Sequence, residues 1–137
     1  MTVVDPLTAD DYASVTQAAR VLHERGWRKQ FTVNDMTDAW RQLVEQIERG
    51  YSWEVEEYTN DLSCRDLLAL AWPMLTENVR AHRKSEPDEL DARFRAATTD
   101  DHDGRLARFY RIETKDGWWW RRIPLLRRGQ FARDLDG

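Results

Sequence analysis

The chain has 137 residues, a net charge of −4, 41% apolar residues, 11% aromatics and 34% charged residues. That length and apolar share support one folded domain with a real core and exclude a disordered chain. No run approaches the about 18 apolar residues of a membrane span, the opening "MTVVDPLTADDY" lacks a basic-then-apolar leader pattern, and the lone Cys64 excludes an internal disulfide or a cysteine metal cluster.

Elements follow in chain order. Thr8 with Asp11 reads as a capping box, with Leu7 stapling to Tyr12, and Tyr12, Val15, Ala19 and Leu22 then recur at helical spacing up to Gly26. Thr32 with Asp35 repeats the pattern, with Phe31 stapling to Met36. Val33, Met36, Trp40, Leu43, Val44 and Ile47 form the clearest apolar stripe, ended by Gly50.

The third helical region, "YSWEVEEYTNDLSCRDLLALAW", carries Val55, Tyr58 and Leu62 on one stripe. Asn60 and Asp61 are poor helix formers, and Ser63 with Asp66 could cap a new start, which predicts a kink near 60–63. Leu67, Leu68, Leu70, Ala71 and Trp72 cover much of the helix circumference, so this segment is expected to be central. Pro73 suits the first turn of a short helix through "PMLTENVRAHRK", and Ser85 with Asp88 is read as capping a last helix that buries Leu90 and Phe94.

Beyond the polar loop "TTDDHDG" the period changes. "RLARFYRIETKDGWWWRRIPLL" reads as a β-hairpin turning at Asp116-Gly117. Strand alternation then puts Trp118 and Trp120 on the core face and Trp119 on the other. The expected architecture is mainly α: a four- to five-helix bundle over about 7–98, with a C-terminal β-hairpin and basic tail over about 105–137 packed on it.

Charge is divided unevenly. Residues 1–104 carry a net −9 and residues 105–137 a net +5. Either the basic tail packs on its own acidic body, or it offers a surface to an acidic partner or to phosphate. Arginine outnumbers lysine 18 to 3, which fits a GC-rich bacterial genome.

Candidate chemistry is sparse. His23 and His82 sit among charged residues and read as surface residues. His102 stands in "DDHDG", but no second histidine pair supports a metal site. The same loop fails as a calcium loop because Thr99 and Tyr110 fall where carboxylates belong. Cys64 lies near a helix start with no base beside it in sequence. No catalytic, phosphate-binding or dinucleotide motif is present, so no cofactor is expected.

Two patches remain. The first is Trp119 with Arg111, Arg121, Arg122, Arg127 and Arg128, where aromatics and arginines mix as in nucleic-acid platforms and protein hot spots. The second is Glu57, Tyr58, Asn60, Asp61, Arg65 and Asp66, in which Asp61 and Arg65 could pair along one helix face. The leading expectation is a small cytoplasmic, non-catalytic protein-binding protein, inhibitory as an immunity protein or antitoxin would be, or regulatory. RNA or single-stranded DNA binding through the Trp/Arg hairpin, and a small enzyme using the acidic patch at 57–66, are the alternatives; oligomeric state is left open.

Overall fold

The computed structural model describes residues 6–26 and 31–137. The chain is mainly helical: α1 (Ala9–Glu24), α2 (Val33–Arg49), α3 (Val55–Ala71), α4 (Glu77–Arg83), α5 (Ser85–Ala97) and α6 (Gly129–Asp136), with short strands β1 (Thr98–Asp100) and β2 (Arg122–Pro124). The strands pair antiparallel, Thr99 opposite Ile123, and pack with α5 against the helices. No described helix is long and apolar enough to cross a membrane.

Both expected capping boxes form. Thr8 and Asp11 cap α1 reciprocally, and Thr32 and Asp35 do the same for α2. All six apolar-stripe residues of α2 are buried, and Gly50 ends the helix at φ +105. This helix contacts both α3 and α5 and joins two clusters. One gathers Trp40, Val44, Tyr51, Tyr58, Phe94, Trp120 and Phe131; the other gathers Ala18, Leu22, Met36, Leu68 and Val79.

Several local expectations are overturned. Tyr12 is 61% exposed, so it does not belong to the buried stripe of α1. Asp11 points inward instead, because its carboxylate accepts hydrogen bonds from the Thr76 hydroxyl and the Asn78 amide as well as from the Thr8 N–H. α3 is one continuous helix from Val55 to Ala71, so no new helix starts at Ser63. The Ser63 hydroxyl donates back to the Thr59 carbonyl within the helix, and the Asp66 side chain is engaged elsewhere in the fold. Pro73 opens a single 3-10 turn, Trp72–Met74, and it is Thr76 that caps α4. Ser85 does not cap α5, since Lys84 between the two helices is itself helical and both its N–H and C=O make helical bonds.

The hairpin around Asp116-Gly117 does not form. The observed pairing joins residues 98–100 to 122–124, and Trp118–Arg121 is a 3-10 turn. Gly117 has φ −64, so it is not the left-handed turn residue. It lacks a side chain for another reason: the Trp119 ring occupies the space where a Cβ would stand. The intervening loop is closed from within. The Arg121 guanidinium donates to the carbonyls of Ile112 and Lys115, and the Asp101 carboxylate accepts the N–H groups of Arg105 and Leu106.

Candidate binding groove along helix α3

The outer face of α3 brings Arg65, Asp66, Ala69 and Leu70 together, at the spacing of one helical turn. Arg65 reaches across to α5 and forks onto Asp91, Nε to Oδ1 at 3.0 Å and Nη2 to Oδ2 at 2.9 Å. Trp40 of α2 donates its indole N–H to the same Oδ1 at 3.0 Å. Arg65 therefore pairs with Asp91 and not with Asp61, and the expected pair along one helix face is absent. The fork geometry fixes the guanidinium plane, and the Trp119 ring lies against it at 4.4 Å.

Asp66 holds the tryptophan segment. Its Oδ1 accepts the indole N–H of Trp119 at 2.8 Å and that of Trp120 at 2.7 Å, and its Oδ2 lies 3.4 Å from Lys115 Nζ. A strand would send these two indoles to opposite faces; the 3-10 turn sends both to one carboxylate. The expectation that Trp119 faces outward is thus corrected: Trp119 and Trp120 are both buried, and the half-buried ring is Trp118. Trp118 packs on Phe94 and lies under the Arg95 guanidinium at 3.7 Å.

Two hollows flank the edge of Trp119 and share Ala69. One, of about 320 Å³, runs toward α5 between Leu68, Trp72, Pro73, Pro87 and the Arg65–Asp91 pair. The other, of about 520 Å³, runs toward the loop between Leu70, Thr114, Lys115 and Trp118. Leu70 is 48% exposed at its rim. Sequence reasoning placed Leu70 and Trp72 in the core, because a helix apolar around much of its circumference gives no sign of which face is left uncovered. Asp91 was also missed, since nothing local marks a partner 26 residues away.

The expected arginine patch is largely committed inside the fold. Arg121 serves the loop carbonyls. Arg122 donates to Thr98 Oγ1, to Asp100 and to the carbonyls of Arg95 and Thr98. Arg127 binds Asp136 and the Pro124 carbonyl. Arg111 and Arg128 are exposed, with no acidic partner among the described residues. The basic tail thus reaches the body through Arg122–Asp100, Lys115–Asp66 and Arg105–Asp103, while Arg105 and Arg127 also share Asp136 within the tail.

The acidic patch divides in the same way. Tyr58 is fully buried and donates to the Arg122 carbonyl at 2.8 Å, whereas Glu57 and Asn60 are exposed. Asp61 accepts from the Tyr51 hydroxyl at 3.1 Å. Burial raises its carboxyl to about 6, with Glu57 adding repulsion against the opposing effect of that hydrogen bond. Burial, with the charge of Asp61, likewise raises the Cys64 thiol, the reverse of what an activated nucleophile needs. His102 is exposed, and no group of three or more metal-binding side chains occurs among the described residues. No protein-family model matches the chain, and no curated protein or solved structure is similar to it.

Proposed function

We propose that this chain is a non-catalytic protein-binding protein of the inhibitory or regulatory kind, whose partner docks along the α3 groove. The observation that carries this reading is a built apolar surface. Leu70, Ala69, Trp118, Trp72, Pro73 and Pro87 line two adjoining hollows, on a framework fixed by Arg65–Asp91 and Asp66–Trp119. Most ionic groups in its walls are paired with one another, Arg65 with Asp91 and Lys115 with Asp66, so a partner that covers these pairs leaves no lone charge there, while the exposed Asp116 at the loop has no cationic partner among the described residues. The single unpaired Cys64 supports a reducing, cytoplasmic setting.

The two alternatives draw less support. Arg121, Arg122 and Arg127 spend their donors on internal acceptors, which weighs against a phosphate-binding stripe. Asp61 and Asp66 are bonded to Tyr51 and to two indoles, which weighs against a pair of carboxylates poised for acid–base work.

The test is capture of partners from the native host with the wild-type chain and with Leu70→Asp. Leu70 is half exposed, so the substitution leaves the fold intact and places a charge in the groove. A protein captured by wild type and lost from Leu70→Asp supports the reading, and capture unchanged by Leu70→Asp contradicts it.

A further inference from the structure

We infer that the exposed segment Ala107–Arg111 is a second binding surface, a platform that stacks one nucleobase on Tyr110 and takes the adjoining phosphates on Arg108 and Arg111. It is separate from the α3 groove, since Tyr110 lines neither hollow.

The segment is pinned at both ends. On one side the Asp101 carboxylate accepts the N–H groups of Arg105 and Leu106, Leu106 is fully buried, and the N–H groups of Phe109 and Tyr110 both return to the Leu106 carbonyl. On the other side Ile112 is buried, and its carbonyl accepts from the Arg121 guanidinium. All five residues between these anchors are exposed. They include two adjacent aromatics, Phe109 at 37% and Tyr110 at 40% exposure, and contiguous apolar surface held in water marks a binding surface.

Tyr110 is the outer ring of a stack. It lies on Trp120 at 5.4 Å with 9° between the planes, and Trp120 is fully buried with its indole N–H fixed by Asp66. Lys115 Nζ is 5.8 Å from the Tyr110 centroid and 5.2 Å from that of Trp120, so the ammonium sits beside the pair and not beyond Tyr110. A partly exposed ring braced from below is a surface on which another flat ring stacks.

Charge then selects the flat group. Arg108 stands two residues before Tyr110 and Arg111 one residue after it, and both are exposed. Neither has an acidic partner among the described residues, unlike Arg105, Arg122 and Arg127. The arginines already spent inside the fold are therefore not the ones this platform uses. Residues 105–137 carry a net +5, although the exposed Glu113 opposes the two free cations. A flat ring that brings its own anion fits both features, and a nucleobase with its phosphate is that combination.

The probe is a fluorescein-labelled single-stranded deoxythymidine octamer, titrated with the full chain by anisotropy. Saturable binding is expected, with a slope of log K against log salt of about −1.4 when each arginine meets one phosphate, falling to about −0.7 in Arg111→Ala. Tyr110→Ala should weaken binding by about 5- to 150-fold, and Tyr110→Phe should stay within about twofold of wild type, because stacking needs the ring and not the hydroxyl. Glu113→Gln should tighten binding. Arg111→Ala and Tyr110→Phe keep the comparison decisive if Tyr110→Ala loosens the segment. Displacement of the octamer by adenosine 5′-monophosphate would assign the platform to free nucleotides, and resistance to it would assign the platform to a single strand; either upholds the inference. No saturable binding, affinity unchanged in both Tyr110→Ala and Arg111→Ala, or equal binding of a duplex of the same length overturns it. Displacement by polyglutamate as readily as by the mononucleotide also overturns it, and would assign the surface to an acidic polypeptide.

Discussion

Trp119 donates its indole N–H to Asp66 at 2.8 Å across 53 residues of chain, and this one bond converts an apparent strand into a docked turn. Trp120 donates to the same oxygen, so the carboxylate of Asp66 organises the segment that walls the groove. Asp66→Ala leaves two largely buried indole donors without an acceptor and should cost about 2–4 kcal/mol in urea unfolding. Asp66→Asn keeps one acceptor oxygen and should cost about half as much. A loss below about 0.5 kcal/mol for Asp66→Ala would show that the clamp contributes nothing.

The arginines separate into structural and free groups. Arg122 makes four hydrogen bonds that tie β2 to the end of α5 and to β1, so Arg122→Ala should destabilise by about 1–3 kcal/mol. Arg111 is exposed and outside these networks, and Arg111→Ala should change stability by less than about 0.5 kcal/mol. Thermal unfolding of both variants checks the contrast, and equal losses would refute it.

Asp61 gives a pH signature. Its carboxyl rises from 3.8 to about 6 in the folded state, so the fold holds this proton more tightly than the unfolded chain does. Its stabilising contribution is full below about pH 4 and is lost as pH rises through about 6. Asp11 acts in the opposite sense. The Thr76 hydroxyl, the Thr8 N–H and the Asn78 amide hold its carboxyl well below the usual range, so its contribution is present near neutrality and lost in acid. The stability difference between Asp61→Asn and wild type, measured by denaturant unfolding, should therefore shift in favour of the variant between about pH 4 and 7. A difference that is flat over that interval would contradict the assignment.

Gly50 combines a left-handed backbone, φ +105, with the Arg128 side chain lying over its α-carbon. Gly50→Ala should destabilise by about 1–2 kcal/mol, because both the backbone and the guanidinium must move. A neutral result in thermal unfolding would show that the α2 terminus relaxes freely.

What the sequence made legible is local. The stripe of α2 and the two capping boxes need only neighbours three or four residues apart, and all of them form. Leu90 and Phe94 are buried in α5 as their spacing implies. The misread features are decided by distant partners. Strand alternation was a sound reading of "GWWWRRI" until Asp66, more than 50 residues away, offered one oxygen to two indoles. Asp116-Gly117 carries a turn signal, yet the chain uses the glycine to make room for Trp119. Ser63 and Asp66 resemble a cap, yet both side chains are bonded in ways that let α3 continue. The groove was illegible for a further reason: a helix apolar on several faces does not declare which one stays open. Leu70, 48% exposed, is that face.

The most direct measurement is site-specific photo-crosslinking in the native host, with a photoreactive residue replacing Leu70 in the groove and, as control, Gln42 on the exposed side of α2. The account predicts a discrete protein adduct from position 70 and none from position 42. No adduct at position 70, or the same adducts from both positions, would contradict a partner docked along α3.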